Sequence, residues 1–294
     1  MSFTPRTIDE SYAACLTRAR EHYENFPVAS LLLPKDKRRC VAAIYAFARE
    51  ADDFADEARH DGRRLVLLSD WRARLERAAR GEADDPIFIA LADTIARHQL
   101  PVQLLHDLIS AFEQDVRVSA YETFADVLAY CRLSANPVGR LVLHLFGRTS
   151  PGLLEQSDAI CTALQLTNFW QDVAVDRDKG RCYIPQEDMR QFGCTDAAIR
   201  EGAATPAFVA MMRFEVERTR ALFLRGSRLP LTVGGRLGFE LRLVRLGGMR
   251  VLDKIERAGC DVFNRRPKLR AADWGGLLMR AALPSPAGAE APTR

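Results

Sequence analysis

Residues 165–181 read QLTNFWQDVAVDRDKGR, a pattern that makes chemical sense on a helix. Gln165, Asn168, Asp172 and Asp176 are spaced by 3, 4 and 4 residues, which puts all four on one helical stripe. Leu164, Leu166, Phe169, Val173 and Ala174 fall between them and suit packing against neighbouring helices. Two carboxylates a turn apart, with an amide a turn before, form an oxygen-rich strip. Hard cations such as Mg2+ take such strips, with phosphate oxygens completing the coordination shell. Alone, an acidic i,i+4 pair more often decorates a solvated face.

A second stretch changes that balance. Residues 44–57 read IYAFAREADDFADE, where Tyr45, Arg49, Asp52 and Asp56 are spaced by 4, 3 and 4. Asp53 and Glu57 fall beside this stripe and are expected to act through water or to face solvent. Two helices then carry Asp-x-x-x-Asp. If they face each other, four carboxylates converge, and like charges that close are costly unless cations sit between them. The arrangement implies two or three divalent ions and a diphosphate.

The rest of the chain supplies a helical frame. Apolar spacing near 3.6 predicts helices from Ile8 to about Glu24, from Pro34 to about Ala58, over 61–80, from Pro86 to near Gln99, and from Pro101. A long segment from Thr123 to Phe146 is interrupted at Asn136-Pro137, because proline removes a backbone donor. Pro151-Gly152 leads into the helix that carries the 165–176 stripe, residues 181–185 read as a turn, and 211–225 and 236–258 are two more long helices. Glycines 234, 235, 238, 247 and 248 are read as close helix contacts. No strand alternation or internal repeat stands out, so the chain is expected to be all-α, with one domain over residues 1–283 and a disordered C-terminal tail at 284–294. A hydrophobic content of 48% with no 18-residue apolar run predicts no transmembrane helix, and the N-terminus lacks the apolar core of a signal peptide. Seven cysteines without a C-x-x-C pair point to reduced thiols in the cytoplasm, and a net charge of +3 gives no support for nucleic-acid binding.

The combination Asp52-Asp53-x-x-Asp56 and Asn168-x-x-x-Asp172-x-x-x-Asp176, followed by Gly180-Arg181-x-Tyr183-x-Pro185, resembles the squalene/phytoene synthase family. The resemblance runs from about His22 to about Lys268. The stretches HYENFP at 22–27, YCRLSANPVG at 130–139 and NFWQDV at 168–173 are similar to its bacterial hydroxysqualene synthase branch. That implies an isoprenoid-synthase-type helical bundle around a central cavity and Mg2+-dependent ionisation of a prenyl diphosphate. Asp52, Asp56, Asn168, Asp172 and Asp176 would hold metal. Arg49 would contact phosphate, its alternative being a pair with Asp52 or Asp53 on its own helix. Gln165 and Asn168 would hold ligand oxygens or metal-bound water, and Lys179 and Arg181 would close over the diphosphate or terminate the helix. Tyr130 matches the family's cavity tyrosine, and His22, Arg265 and Arg266 match positions near the substrate.

Two departures refine this. Many members that join two prenyl diphosphates carry arginine immediately before the first aspartate of the second motif, where this chain has Gln171. Many also carry a Ser-Phe pair near the N-terminus, where this chain has Asn25-Phe26-Pro27. Loss of a cation implies one diphosphate rather than two. The expected substrate is therefore presqualene diphosphate, with water captured to give hydroxysqualene and with Gln171 or Asn136 orienting that water. No G-x-G-x-x-G is present, so no nicotinamide is expected. The resemblance further implies peripheral contact with the inner membrane face and a downstream reductase receiving the product. The competing readings are a synthase coupling two prenyl diphosphates and a non-catalytic scaffold homologue; the second would tolerate loss of carboxylates that are intact here.

Overall fold

The protein is described by a computed structural model covering residues 4–21 and 32–283. His22, the 25–27 signature and the 284–294 tail lie outside the described residues. Among those described, the chain is all-α, 77% helical and without β-strands. The helices are α1 (Pro5–Glu21), α2 (Lys35–Asp56), α3 (Arg64–Ala79), α4 (Pro86–His98), α5 (Val102–Arg117), α6 (Phe124–Ser134), α7 (Asn136–Leu145) and α8 (Pro151–Gln171). They continue with α9 (Val173–Asp178), α10 (Gln186–Phe192), α11 (Asp196–Glu201), α12 (Pro206–Arg225), α13 (Leu229–Val233), α14 (Gly235–Arg257) and α15 (Ala271–Ala282). None is long and apolar enough to cross a membrane.

Local chemistry sets many of these boundaries. Asp85 accepts from the Ile87 amide at 2.8 Å and Pro86 occupies the first helical position of α4. Thr123 and Asp126 cap α6 reciprocally, the Thr123 amide donating to Asp126 and the Asp126 amide to Thr123 Oγ1. Asn136 and Pro137 open α7, which is the expected interruption of the 123–146 segment. Three expectations differ. The helix of the second motif stops at Gln171 and restarts at Val173, because Asp172 has φ −109° and ψ 16°. α12 begins a turn early, where Thr205 accepts from the Phe208 amide. The short helices α10, α11 and α13, and the C-terminal α15, were not expected from apolar spacing.

The chain groups into two compact units, residues 1–119 with 129–154, and residues 120–128 with 155–294. In the first, α1, α3, α4, α5 and α7 all pack on α2. Ala42, Ala43, Ala46, Ala51 and Ala55 are fully buried and small enough to let several helices approach it. Phe47 stacks on Trp71 with centroids 5.8 Å apart, and Phe88 meets Trp71 edge-on at 4.4 Å. α1 is held by Tyr12, whose hydroxyl donates to Asp93 at 2.8 Å and lies 2.8 Å from Thr94 Oγ1. In the second unit, a Cβ on Gly248 would lie 2.4 Å from Phe223 and 2.9 Å from Leu164, so α14 meets α12 and α8 only because that residue is glycine. A Cβ on Gly238 would lie 2.3 Å from the Pro230 carbonyl oxygen. The close-contact reading of these two glycines is what the structure shows, while Gly234 and Gly235 adopt positive φ at the turn into α14. The buried Trp170 indole donates to Thr219 Oγ1 at 2.8 Å and ties the end of α8 to α12.

One buried charge cluster joins α10 and α12. Arg218 forks onto Glu215 at 2.6 and 2.7 Å and donates to Asp188 at 2.6 Å, while its guanidinium lies 3.5 Å from the Phe124 ring centroid. One cation faces two buried carboxylates. Burial pushes the Glu215 carboxyl up to about 8; Arg218 opposes that rise and the Asp188 charge adds to it. A raised acid binds its proton in the folded state at pH values where the unfolded chain has lost it. The contribution to stability is therefore full below the ordinary value of 4.5 and is lost as pH rises to about 8. In urea titrations, wild type should lose more stability across that window than Glu215→Gln; equal pH slopes would overturn the assignment.

Candidate active site

On α2, Tyr45, Arg49, Asp52 and Asp56 form one half-buried stripe, as their spacing predicts, while Ala46, Phe47, Ala51 and Ala55 on the other face are buried. The surrounding charges were less legible. Arg49 pairs with Asp52 at 3.2 Å and with Asp53 at 2.7 Å, so its intrahelical alternative is the arrangement present. Asp53 is not solvent-facing as expected: it is buried and also receives Arg18 of α1 at 3.2 Å. Two guanidiniums offset the cost of burying one carboxylate. Arg18 also pairs with Glu50. Glu57 follows the helix, half exposed and paired with Arg59 at 2.6 Å. Tyr130, in α6, is buried and donates to Asp115 of α5 at 2.7 Å. Asn136 is buried at the start of α7.

In the second unit the 165–176 stripe survives the break at Asp172. The Asp172 amide donates to the Asn168 carbonyl at 2.9 Å and the Asp176 amide to the Asp172 carbonyl at 2.8 Å, so the helical path continues through the irregular residue. Gln165, Asp172 and Asp176 are half-buried and Asn168 is exposed. The side chains on this stripe offer oxygen donors and no sulfur or imidazole, which fits a hard cation. Among the described residues no group of three or more His, Cys, Asp or Glu is placed to hold a metal by itself. Mg2+ commonly takes one or two carboxylates and completes its shell with water and phosphate oxygens.

α9 ends in a Schellman turn. The Arg181 amide donates to the Asp176 carbonyl at 2.8 Å and the Gly180 amide to that of Arg177 at 2.9 Å, with Gly180 at φ 74°. The turn sends Arg181 back, so that it lines a small cavity with Asp176, Phe169, Val173 and Tyr183. Lys179 caps the helix and is exposed. Beyond Arg181 the chain is strapped down. Cys182 forms an isolated parallel bridge with Ala120, the Gln186 amide donates to the Tyr121 carbonyl at 2.9 Å, and the Tyr183 ring stacks on Phe169 at 3.8 Å. Burial pushes the Cys182 thiol up to about 11, which keeps it protonated at neutral pH.

Two contacts could not have been read from the sequence, since each joins residues more than 90 positions apart. Arg266 forks onto Asp172, Nε to Oδ1 at 2.5 Å and an Nη to Oδ2 at 2.9 Å. Gln171, buried, donates its amide nitrogen to the Pro267 carbonyl at 2.5 Å. Arg265, next to Arg266, is exposed.

The squalene/phytoene synthase family profile matches residues 19–273. A hydroxysqualene synthase of Zymomonas mobilis is 35% identical over 83% of each chain, and a 15-cis-phytoene synthase of Synechococcus elongatus is 30% identical over 88% of each. The crystal structure of squalene synthase HpnC from Alicyclobacillus acidocaldarius is 42% identical, covers 87% of this chain and 97% of its own, and has a TM-score of 0.83. A dehydrosqualene synthase shares the fold with a TM-score of 0.86 at 23% identity.

The Schellman turn makes a prediction of its own. A Cβ on Gly180 would meet nothing within 4 Å, so the cost of Gly180→Ala is purely conformational. Chemical denaturation should show a loss of about 1–2 kcal/mol, and Gly180→Asn, which tolerates the left-handed region, should lose less. Unchanged stability in the alanine variant would contradict this account of the turn.

Proposed function

Because the chain belongs to the squalene/phytoene synthase family, we propose that it is a hydroxysqualene synthase. It would ionise presqualene diphosphate and let water capture the carbocation, as one step of bacterial squalene and hopanoid biosynthesis. The observation that carries this reading is the higher identity to the hydroxysqualene synthase relative than to the phytoene synthases. The neutral Gln171 at a position where coupling enzymes often carry arginine points the same way.

In this reading Asp52 and Asp56 hold cations from one helix, and Asn168, Asp172 and Asp176 from the other. Two or three Mg2+ ions bound there would supply positive charge to the departing diphosphate. Arg49, Lys179, Arg181, Arg265 and Arg266 add donors for its oxygens, Arg49 and Arg266 by leaving their present carboxylate partners. The carbon–oxygen bond to diphosphate breaks with its electron pair on the leaving oxygen. Water adds to the cation and loses a proton, giving the alcohol, and Gln171 or Asn136 orients that water. Apolar side chains such as Phe169 and Val173 limit indiscriminate quenching. No reductant enters the balance. The enzyme would work in the cytoplasm at the inner membrane face and pass its long-chain alcohol product to a reductase.

A second reading, condensation of two prenyl diphosphates, is favoured by the phytoene synthases among the relatives. Incubation with presqualene diphosphate and Mg2+ without nicotinamide, followed by mass spectrometry, should give hydroxysqualene. A product only from two farnesyl or two geranylgeranyl diphosphates would replace the first reading by the second. Asp52→Ala and Asp172→Ala should each cut turnover by about 100-fold or more; undiminished turnover in both would remove the metal roles.

A further inference from the structure

The loop after α14 is a built element. Gly259 and Cys260 take positive φ at its start, and Asp261 accepts from the Asn264 amide at 3.1 Å. Phe263 packs on Phe208 with centroids 4.7 Å apart. Farther along, Lys254 donates to the Lys268 carbonyl at 2.9 Å, and the Arg270 amide donates to Asp273 at 2.8 Å. Between these anchors sit Arg266 and Pro267. The Pro267 carbonyl is taken by Gln171, and Arg266 covers both oxygens of Asp172. Two adjacent residues at the end of α8 thus grip two adjacent residues of the loop.

Asp172 is a half-buried carboxylate on the cation-binding stripe, and a fork across both its oxygens is the geometry in which guanidinium competes best with a metal ion. Gln171 explains why the fork is held. Its tether to Pro267 is buried and fixes the backbone next to Arg266, so the arginine reaches Asp172 without first losing the freedom of a loose loop. An arginine at position 171 could also bond that carbonyl, but it would bring a second full charge beside Arg266. The neutral amide supplies the tether alone.

We propose that Arg266 is a built-in stand-in for a divalent cation at Asp172, and that Gln171, acting through the Pro267 carbonyl, is the positioning residue that holds it there. A cation entering the second motif must displace the arginine, which couples metal binding to release of the 260–268 loop. This rests on the metal-dependent reading given above. It also assigns Gln171 a role in metal affinity that is separate from orienting water.

The test is titration of the full-length protein with Mn2+, with and without inorganic pyrophosphate, by calorimetry and by the Mn2+ electron paramagnetic resonance signal. Removing the competitor in Arg266→Gln should tighten Mn2+ binding roughly five- to tenfold. Loosening it in Gln171→Ala should tighten binding roughly two- to fivefold. Lys268→Gln, which removes the same charge two residues away, from an exposed side chain with no role in the site, should leave the affinity within about twofold. In an Asp172→Asn background, Arg266→Gln should no longer matter. Unchanged or weaker Mn2+ binding in Arg266→Gln would overturn the proposal, as would equal tightening by Lys268→Gln or tightening that persists without Asp172. Mn2+ binding that is present in wild type yet indifferent to these variants sinks this inference and leaves the proposed function standing. Absence of Mn2+ binding from every form, with pyrophosphate present, sinks both.

Discussion

A carboxylate partly removed from water needs a cation, and this requirement organises both acidic motifs. On α2 the buried Asp53 is matched by Arg18 and Arg49. On the second motif Asp172 is matched by Arg266. In each unit a guanidinium also balances a carboxylate of the acidic stripe itself, Arg49 on Asp52 and Arg266 on Asp172. Ordering these arginines costs side-chain entropy, but it avoids leaving charge unpaired in a partly desolvated setting. The motifs are thus held folded and charge-balanced by the chain itself.

Much of this was legible in the sequence because it depends on local periodicity. The α2 stripe is half-buried in the register that the spacing of Tyr45, Arg49, Asp52 and Asp56 demands. The interruption at Asn136-Pro137 follows from the chemistry of proline; the turn expected over 181–185 falls earlier, at Lys179-Gly180, where glycine takes positive φ. What escaped notice depends on distant partners. Asp53 reads as an off-stripe, wet carboxylate until Arg18 of another helix is placed against it. The break at Asp172 has no local signature, since no proline or glycine marks it. The short helices α10, α11 and α13 span 5–7 residues, too few turns for periodicity to register. α15 carries Gly275-Gly276 in its middle, which lowers its intrinsic preference for helix, and it is held instead by packing of Leu277 and Ala281 against Leu243 and Leu246.

Family membership fixes the fold and the presence of the two acidic stripes, but the same frame serves relatives named for different products. Gln171, beside the second stripe, is a neutral amide, buried, that donates to the Pro267 backbone carbonyl. Its neighbour Trp170 is bonded to Thr219, so the end of α8 is fixed on two sides.

The strap between Cys182 and Ala120 carries a consequence for how the molecule is made. Residues 120–128 belong with the unit that otherwise starts at 155, while 129–154 return to the one before. Neither unit is a continuous run of the gene. A ribosome delivers the first piece of the later unit before the last piece of the earlier one, so each must wait for chain that emerges out of turn. A single truncation point anywhere in this stretch leaves at least one unit missing a piece, and separate expression of either would require splicing rather than cutting.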